Sequence, residues 1–303
     1  MTVLALNNIE QVDKLVREVF TAGMNMRTPV FPKVFNIGTP TRLDEKYQII
    51  KLDNTVSETV DGGAFTPSDI KEIGGKTITQ KIYKDSVSIG DFAELFDNYG
   101  KIRQAAFEKG QDYMYEMDAH GADFFNNATS SASPYGFIVD GTSTATSLIS
   151  NTQPVGDTGD TQDNLVSGGL DKPQLNTARE YLRKQKRHNG NIAGYQASRL
   201  LMPVELGMTA FELTKSPIGP TADNRKNYIN SLGIELIEWD LLTSSSMSFL
   251  MAPKGATRFE FLIKLRPQLR RIISQTTGTP EYQWRAVYQA GVVDYQGCVG
   301  ITS

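Results

Sequence analysis

The stretch from Asn98 to Asn127, NYGKIRQAAFEKGQDYMYEMDAHGADFFNN, constrains this chain more than any other. Ile102, Ala106, Tyr113, Met117 and Phe124 recur at helical spacing, which places them on one face of a single long helix. Lys101, Arg103, Glu108, Lys109, Asp112, Glu116 and Asp123 take most of the remaining surface. At the rise of an α-helix the stretch spans roughly 40–45 Å, about the width of a domain. Only Gly110 and Gly121 weaken it. A helix of this length must be a spine for other elements, and its apolar stripe is expected to face the C-terminal strand.

Before the spine, Ile9, Val12, Leu15, Val16 and Val19 predict a short amphipathic helix from Asn8 to Phe20. Pro29, Pro32 and Pro40 then hold Asn25 to Thr41 extended, as an arm that needs another surface to lie on. Tyr47–Glu58 and Lys76–Ile89 are rich in β-branched and aromatic residues and predict two paired strands. Their connection, TVDGGAFTPSDIKEIGG, is long and polar. Such a hairpin buries little by itself and is expected to project across a neighbouring molecule. A turn over Asp91–Phe96 leads into the spine.

After the spine come a loop at Ala128–Ser133, a short strand at Tyr135–Gly141 and an exposed loop from Ser150 to Asn164. Asp171 caps a helix with Pro173 in its first turn, predicted to run through Leu182 and Gln185 to Asn189-Gly190. Strands at Ser198–Met202, Gly233–Trp239 and Met247–Met251 complete a mixed α/β unit over roughly 165–255. Thr257–Leu269 predicts a strand that continues past Pro267. From Glu281 the alternation of Tyr282, Trp284, Ala286, Tyr288, Ala290 and Val292 changes phase at Gly291-Val292-Val293. One bent strand with a bulge is expected there.

Composition removes several classes of function. A net charge of -3 gives no global attraction for nucleic acid. The one cysteine, Cys298, excludes an intrachain disulfide and a cysteine zinc cluster. No apolar run reaches the roughly 18–20 residues that span a bilayer. Glu10, Asp13, Lys14, Arg17 and Glu18 stand where a signal peptide needs its apolar core, so intracellular synthesis is expected.

The motifs that suggest chemistry are incomplete. Gly74-Gly75-Lys76-Thr77 ends like a phosphate-binding loop, but Ile70 occupies the position of its first glycine. Asp157-Thr158-Gly159 resembles an aspartic-protease turn without apolar flanks or a second copy. Asp118-x-His120 has no ligand cluster around it, and the other histidine, His188, lies outside the spine. Cys298 has no neighbouring histidine in sequence, and no nucleophile elbow exists. No catalytic, cofactor-binding or metal-binding residue is therefore assigned, no cofactor is expected, and the chain is read as a non-enzyme. Arg179, Arg183, Lys184, Lys186 and Arg187 make a basic helix end, either a solvated face or a contact for DNA or an acidic scaffold segment. Lys264, Arg266, Arg270 and Arg271 are open to the same two readings.

The order of arm, polar hairpin, spine helix, inserted α/β unit and terminal strand resembles the major capsid proteins of tailed bacteriophages, with their α+β Hong Kong 97-type fold. The likeness is strongest from Val139-Asp140-Gly141 to Leu201-Met202-Pro203-Val204-Glu205-Leu206. That run holds a strand, an exposed loop, a helix start at Gly169-Leu170-Asp171-Lys172-Pro173, a basic helix and a strand ending at a proline. The resemblance implies an N-arm over 1–45, an extended E-loop hairpin over 46–90 and a peripheral domain over 91–164 with its spine helix at 98–127. It further implies an axial domain over 165–255, meeting its copies at five- and six-fold vertices, and C-terminal strands over 256–303 returning to the peripheral domain.

By the same resemblance the chain would be a structural subunit that self-assembles as hexamers and pentamers. The product would be an icosahedral shell around double-stranded DNA, made in the bacterial cytoplasm and present in the virion. Scaffold and portal proteins, and a decoration or cement protein, are the implied partners, with no membrane. The short arm implies a separate scaffold protein or none. Lys71, Lys76 and Lys81 lie where some relatives form a covalent cross-link, but no local signature accompanies them. Phe65, Asp69, Lys71, Lys76, Arg103 and Lys109 are the candidate intersubunit contacts. Arg183, Lys184, Lys186 and Arg187 are the candidate contacts to DNA or scaffold. Two alternatives stay open: an encapsulin-like cargo shell or other self-assembling protein, and a hydrolase with an inserted α/β domain.

Overall fold

The computed structural model describes residues 2–52, 58, 60–63, 65, 67–88, 99–141, 144–217, 226–273 and 280–303, with backbone alone at 2–13, 99 and 280. The spine is one helix, α3, Tyr99–Asn126. Ala106, Tyr113, Met117 and Phe124 are buried along it, and Ile102 packs partly buried at the edge of the same core. The predicted Asn98 start and the Asp91–Phe96 turn lie outside the described residues.

The N-terminal segment needs a correction. It forms a helix, α1, Thr2–Met26, and a short turn of helix, α2, Phe31–Val34, and it lies on this chain's own spine. Phe20 meets Tyr113 edge-on, with ring centroids 6.3 Å apart. Glycines let the two backbones close up. A Cβ on Gly110 would stand 2.3 Å from the carbonyl oxygen of Phe20, and one on Gly23 would stand 2.2 Å from that of Phe107. Gly121 makes similar room for Phe31 and Trp239. The glycines that weaken the spine as a helix are thus the notches that seat the arm.

Two buried charges tie the arm down. Asp118, fully buried on the spine, accepts the amides of Val30 at 2.8 Å and Phe31 at 2.9 Å, and the indole N–H of Trp239 at 3.2 Å. Arg199 donates to Lys33 O at 2.8 Å and twice to Ala252 O, at 2.8 and 3.1 Å. Charge-assisted bonds of this kind are stronger than neutral ones, and breaking one side strands the other in the core. Strand β1, Asn36–Gly38, then runs parallel to β11, Phe259–Ile273.

The hairpin strands are β2, Asp44–Leu52, and β3, Ile70–Thr79, paired antiparallel from Asp44↔Thr79 to Leu52↔Ile70. The predicted Lys76–Ile89 strand is two strands. It divides at buried Gln80, and the second half, β4, Lys81–Ser88, leaves the hairpin to pair with β12, Pro280–Val292. The first sheet accordingly runs β1-β11-β12-β4 beneath the helices. Pro267 sits inside β11 at a register irregularity between Leu265 and Gln268, where a missing N–H is tolerated.

Beyond the spine, a small ladder pairs β5, Gln153–Pro154, with β6, Thr161–Gln162. The second sheet has the order β7-β13-β10-β8-β9: β7, Leu165–Ser167; β8, Arg199–Met202; β9, Glu235–Glu238; β10, Ser248–Met251; β13, Cys298–Thr302. Leu200, Leu250, Val299 and Ile301 point into a core shared with helices α4, Lys172–Lys184, and α5, Gly207–Thr214. Leu201, Phe249, Met251 and Cys298 point into the spine's core. Burial on both faces explains why these strands read as unbroken apolar runs.

The C-terminal expectation is corrected here as well. The phase change at Gly291-Val292-Val293 marks the end of β12 and no bulge. After a turn, β13 joins the middle of the second sheet, so the C-terminal segment is two strands, with β12 packed against the spine and β13 reaching the spine's core through Cys298. Helix α4, capped by Asp171, ends at Lys184, five residues before the predicted Asn189.

Candidate functional site

The residues that suggested chemistry have structural work. Among the described residues no group of three or more His, Cys, Asp and Glu side chains is placed to hold a metal ion. Asp118 anchors the arm. His120 packs edge-on against Tyr83, Phe124, Phe261 and Tyr288, and burial pulls its pKa down to about 4, so it is neutral at physiological pH. His188 Nε2 meets Asp294 Oδ2 at 2.8 Å under the surface. Cys298 is fully buried, which pushes its thiol up to about 12 and away from the reactive thiolate.

The glycines of Gly74-Gly75-Lys76-Thr77 serve backbone contact. Gly75 donates to Ile138 O at 2.8 Å, and a Cβ on Gly74 would stand 2.1 Å from that same oxygen. Gly141 closes the contact from the other side by donating to Ile73 O at 2.6 Å. This docks the root of the hairpin on the loop after the spine.

Asp157 supplies the second tether. Lys51 and Lys71 stand directly opposite each other on β2 and β3, a repulsive arrangement by itself. Asp157 resolves it by taking Lys51 on Oδ1 at 2.8 Å and Lys71 on Oδ2. Hydrogen bonds from these two ammonium groups hold its pKa at about 2. Lys76 donates to the carbonyls of Pro134 and Tyr135 and lies 5.5 Å from the Phe124 ring centroid, and burial pulls its pKa down to about 8.

The candidate contact residues therefore divide. Phe65 is fully exposed at 101%, and Asp69 is exposed beside it on the hairpin connection. Arg103 is exposed on the spine. Lys71 and Lys76 are engaged within the chain, and Lys109 pairs with Asp85 at 2.6 Å. Of the basic group, Arg183 and Lys184 end α4, with Lys184 3.6 Å from Glu180. Lys186 and Arg187 lie in the segment beyond it, where Lys186 bridges to Ile192 and stands 3.7 Å from Asp160. The structure thus does not gather all four on one helix. No helix among the described residues is long and apolar enough to cross a membrane.

Sequence reasoning missed Arg199 and the latch role of Asp157, whose partners lie far along the chain. It also missed the pairing of Lys84 with Arg285 across β4 and β12. No local pattern marks any of these.

A family model described as phage capsid protein matches residues 75–301. The fold is similar to the capsid of Cyanophage P-SCSP1u, at 11% identity over 91% of this chain and 88% of that one, with a TM-score of 0.57. The procapsid of bacteriophage JBD30 is similar at 10% identity, 98% and 75% coverage and a TM-score of 0.52. The capsid of Myoviridae phage XM1 is similar at 12% identity, 89% coverage of each chain and a TM-score of 0.51. No curated protein matches the sequence.

Proposed function

Since the chain belongs to the phage capsid protein family and carries the Hong Kong 97-type fold, we propose that it tiles the icosahedral shell of a tailed phage around double-stranded DNA. The observation that carries this reading is the family match over 75–301, which begins in the second hairpin strand and takes in the spine, the second sheet and all of the first sheet but β1. In this reading 1–45 is the N-arm and 46–90 the E-loop. Residues 91–164 with 256–297 are the peripheral domain, and 165–255 with the strand Cys298–Thr302 the axial domain. The axial unit meets its copies at the five- and six-fold positions.

The mechanism is assembly. Each subunit contributes modest contacts, and closed symmetry multiplies them over every copy. The hairpin is suited to this role because its root is fixed by Asp157 and Ile138 while Phe65 and Val60 stand exposed, Val60 at 83%. A side chain such as Phe65 gains its burial energy only on another molecule. Asp69 and Arg103 join it in the intersubunit contact. Arg183, Lys184, Lys186 and Arg187 face packaged DNA or an acidic scaffold segment, contacted without sequence preference. Scaffold, portal and cement proteins are the further partners, and synthesis takes place in the host cytoplasm.

Electron microscopy of the purified chain, alone and co-expressed with its neighbouring genes, tests the reading. Closed icosahedral particles are expected. A chain that stays as small oligomers under every condition would overturn it.

A further inference from the structure

The spine and the first sheet enclose a groove. It lies between α3 and the strands β4 and β12, with a volume of about 690 Å³, and continues along the spine into a second hollow of about 380 Å³. Tyr83, Tyr115, Glu116 and Tyr288 line both parts, and Tyr113 lines the larger one. Tyr288 is 1% exposed and Tyr113 7%, yet their hydroxyls and that of Tyr83 have no hydrogen-bond partner among the described residues. In the second hollow His120 Nε2 is likewise buried and unpaired. Buried polar groups are almost always paired, so a row of unmet ones along a groove points to a ligand with hydrogen-bonding groups of its own. Burial, reinforced by Glu116, raises the pKa of Tyr83 and Tyr288, and burial with Asp85 pushes Tyr113 up to about 12, so all three remain neutral phenols.

The charge left over in the groove is negative. Asp112, Glu116 and Asp123 stand on one stripe of α3, roughly 6 Å and then roughly 10 Å apart along its axis. Glu116 is exposed and has no ion-pair partner among the described residues. Asp123 accepts from Tyr135 Oη at 2.7 Å and Asn127 Nδ2 at 2.8 Å, both uncharged. Lys109 serves two carboxylates, Asp85 at 2.6 Å and Asp112 at 3.7 Å. Lys81 acts on His120 from one end, while Lys84 points to the opposite face of its strand from Tyr83. The wall already takes one cation: the guanidinium of Arg27, itself paired with Asp118 and Asp240, lies 5.4 Å from the Tyr115 ring centroid. We propose that this groove binds a linear aliphatic polyamine, with ammonium groups at Glu116 and Asp123 and methylenes against Tyr83 and Tyr288. The tyrosine hydroxyls accept its remaining N–H groups. An anionic ligand would meet the carboxylates, and a compact metal ion finds no group of three acidic or histidine ligands among the described residues. A chain with a charge at each end satisfies both hollows and ties the spine to β4 and β12.

Spermidine titrated into the purified subunit, followed by calorimetry and by thermal melting, tests this. Saturable binding of one spermidine per subunit is expected, with a melting temperature that rises as spermidine is added. Glu116→Gln keeps the shape of an exposed side chain and should weaken binding about tenfold. Tyr83→Phe/Tyr288→Phe removes two acceptors and should weaken it about threefold or more, with Tyr83→Phe alone used if the pair melts early. Glu212→Gln, exposed on α5, should leave binding unchanged. Absence of saturable binding to the wild type, or equal weakening by Glu116→Gln and Glu212→Gln, would overturn the site. Propylamine binding as tightly as spermidine would overturn the linear ligand in favour of a single ammonium socket. Nα-acetyl-lysine amide binding more tightly than spermidine would overturn it in favour of a protein side chain.

Discussion

The carboxylate of Asp118 lies 2.8 Å from the backbone nitrogen of Val30, across 88 residues of chain. It also accepts from Phe31, Trp239 and Arg27, so one buried anion holds the arm, the spine and the end of the second sheet together. Asp118→Ala strands several donors in the core at once and should cost about 3–5 kcal/mol of unfolding free energy. Asp118→Asn keeps one acceptor oxygen and should cost about 1–3 kcal/mol. Urea unfolding of the monomer checks both values. An alanine variant as stable as wild type would remove Asp118 from this role.

Gly110→Ala separates two physical effects of opposite sign. Helix propensity alone favours alanine by about 1 kcal/mol. The added methyl would fall against the Phe20 carbonyl, so the observed result should be destabilisation of about 1–3 kcal/mol through overpacking. Thermal melting gives the sign directly, and stabilisation would mean that α1 does not lie where it is described.

The latch at Asp157 predicts an acid titration. Its folded pKa of about 2 lies below the ordinary 3.8, so its contribution to stability is complete above the unfolded value and is lost as pH falls through about 2. A carboxyl carbon titration by NMR should place its midpoint near 2, and Lys51→Ala/Lys71→Ala should return it toward 3.8. A wild-type midpoint in the ordinary aspartate range would mean that the hairpin root is not fastened there.

Lys76 predicts the alkaline side. Burial lowers its pKa from 10.5 to about 8, so between those values the folded chain holds fewer protons than the unfolded one. Stability from this residue therefore rises with pH across that window, and the full cost of burying the charge is present below it. Lys76→Met should remove the rise. Urea midpoints measured across the window check this, and parallel pH dependences in both proteins would contradict it.

The spine was legible because its apolar residues, from Ile102 to Phe124, keep helical period for about six turns, a signal no tertiary partner is needed to explain. The alternation of Trp284, Ala286 and Tyr288 was legible for the same reason. What periodicity does not carry is where a strand changes partner. Gln80 is one polar residue in a long β-branched run, yet there the chain leaves the hairpin for the first sheet. The change of parity near Val293 had two physical solutions, a bulge or a new strand, and local sequence is the same for both. Of the proposed contacts, the exposure of Phe65 followed from its polar, glycine-rich setting. The engagement of Lys71 and Lys76 depended on Asp157 and Pro134, more than fifty residues away.

The structure shows how the hairpin can be shortened without damage to the fold. Removing Val60–Gly75 as a block would take out buried Ile73 and the glycine contacts to Ile138, and with them part of the fold. Replacing only residues 58–69 by a short glycine turn spares both. Electron microscopy of that variant beside wild type, after matching melting curves, is the most direct measurement. Closed shells from the wild type and only folded, unassembled subunits from the variant are expected. Normal shells from the variant would contradict assembly through the hairpin.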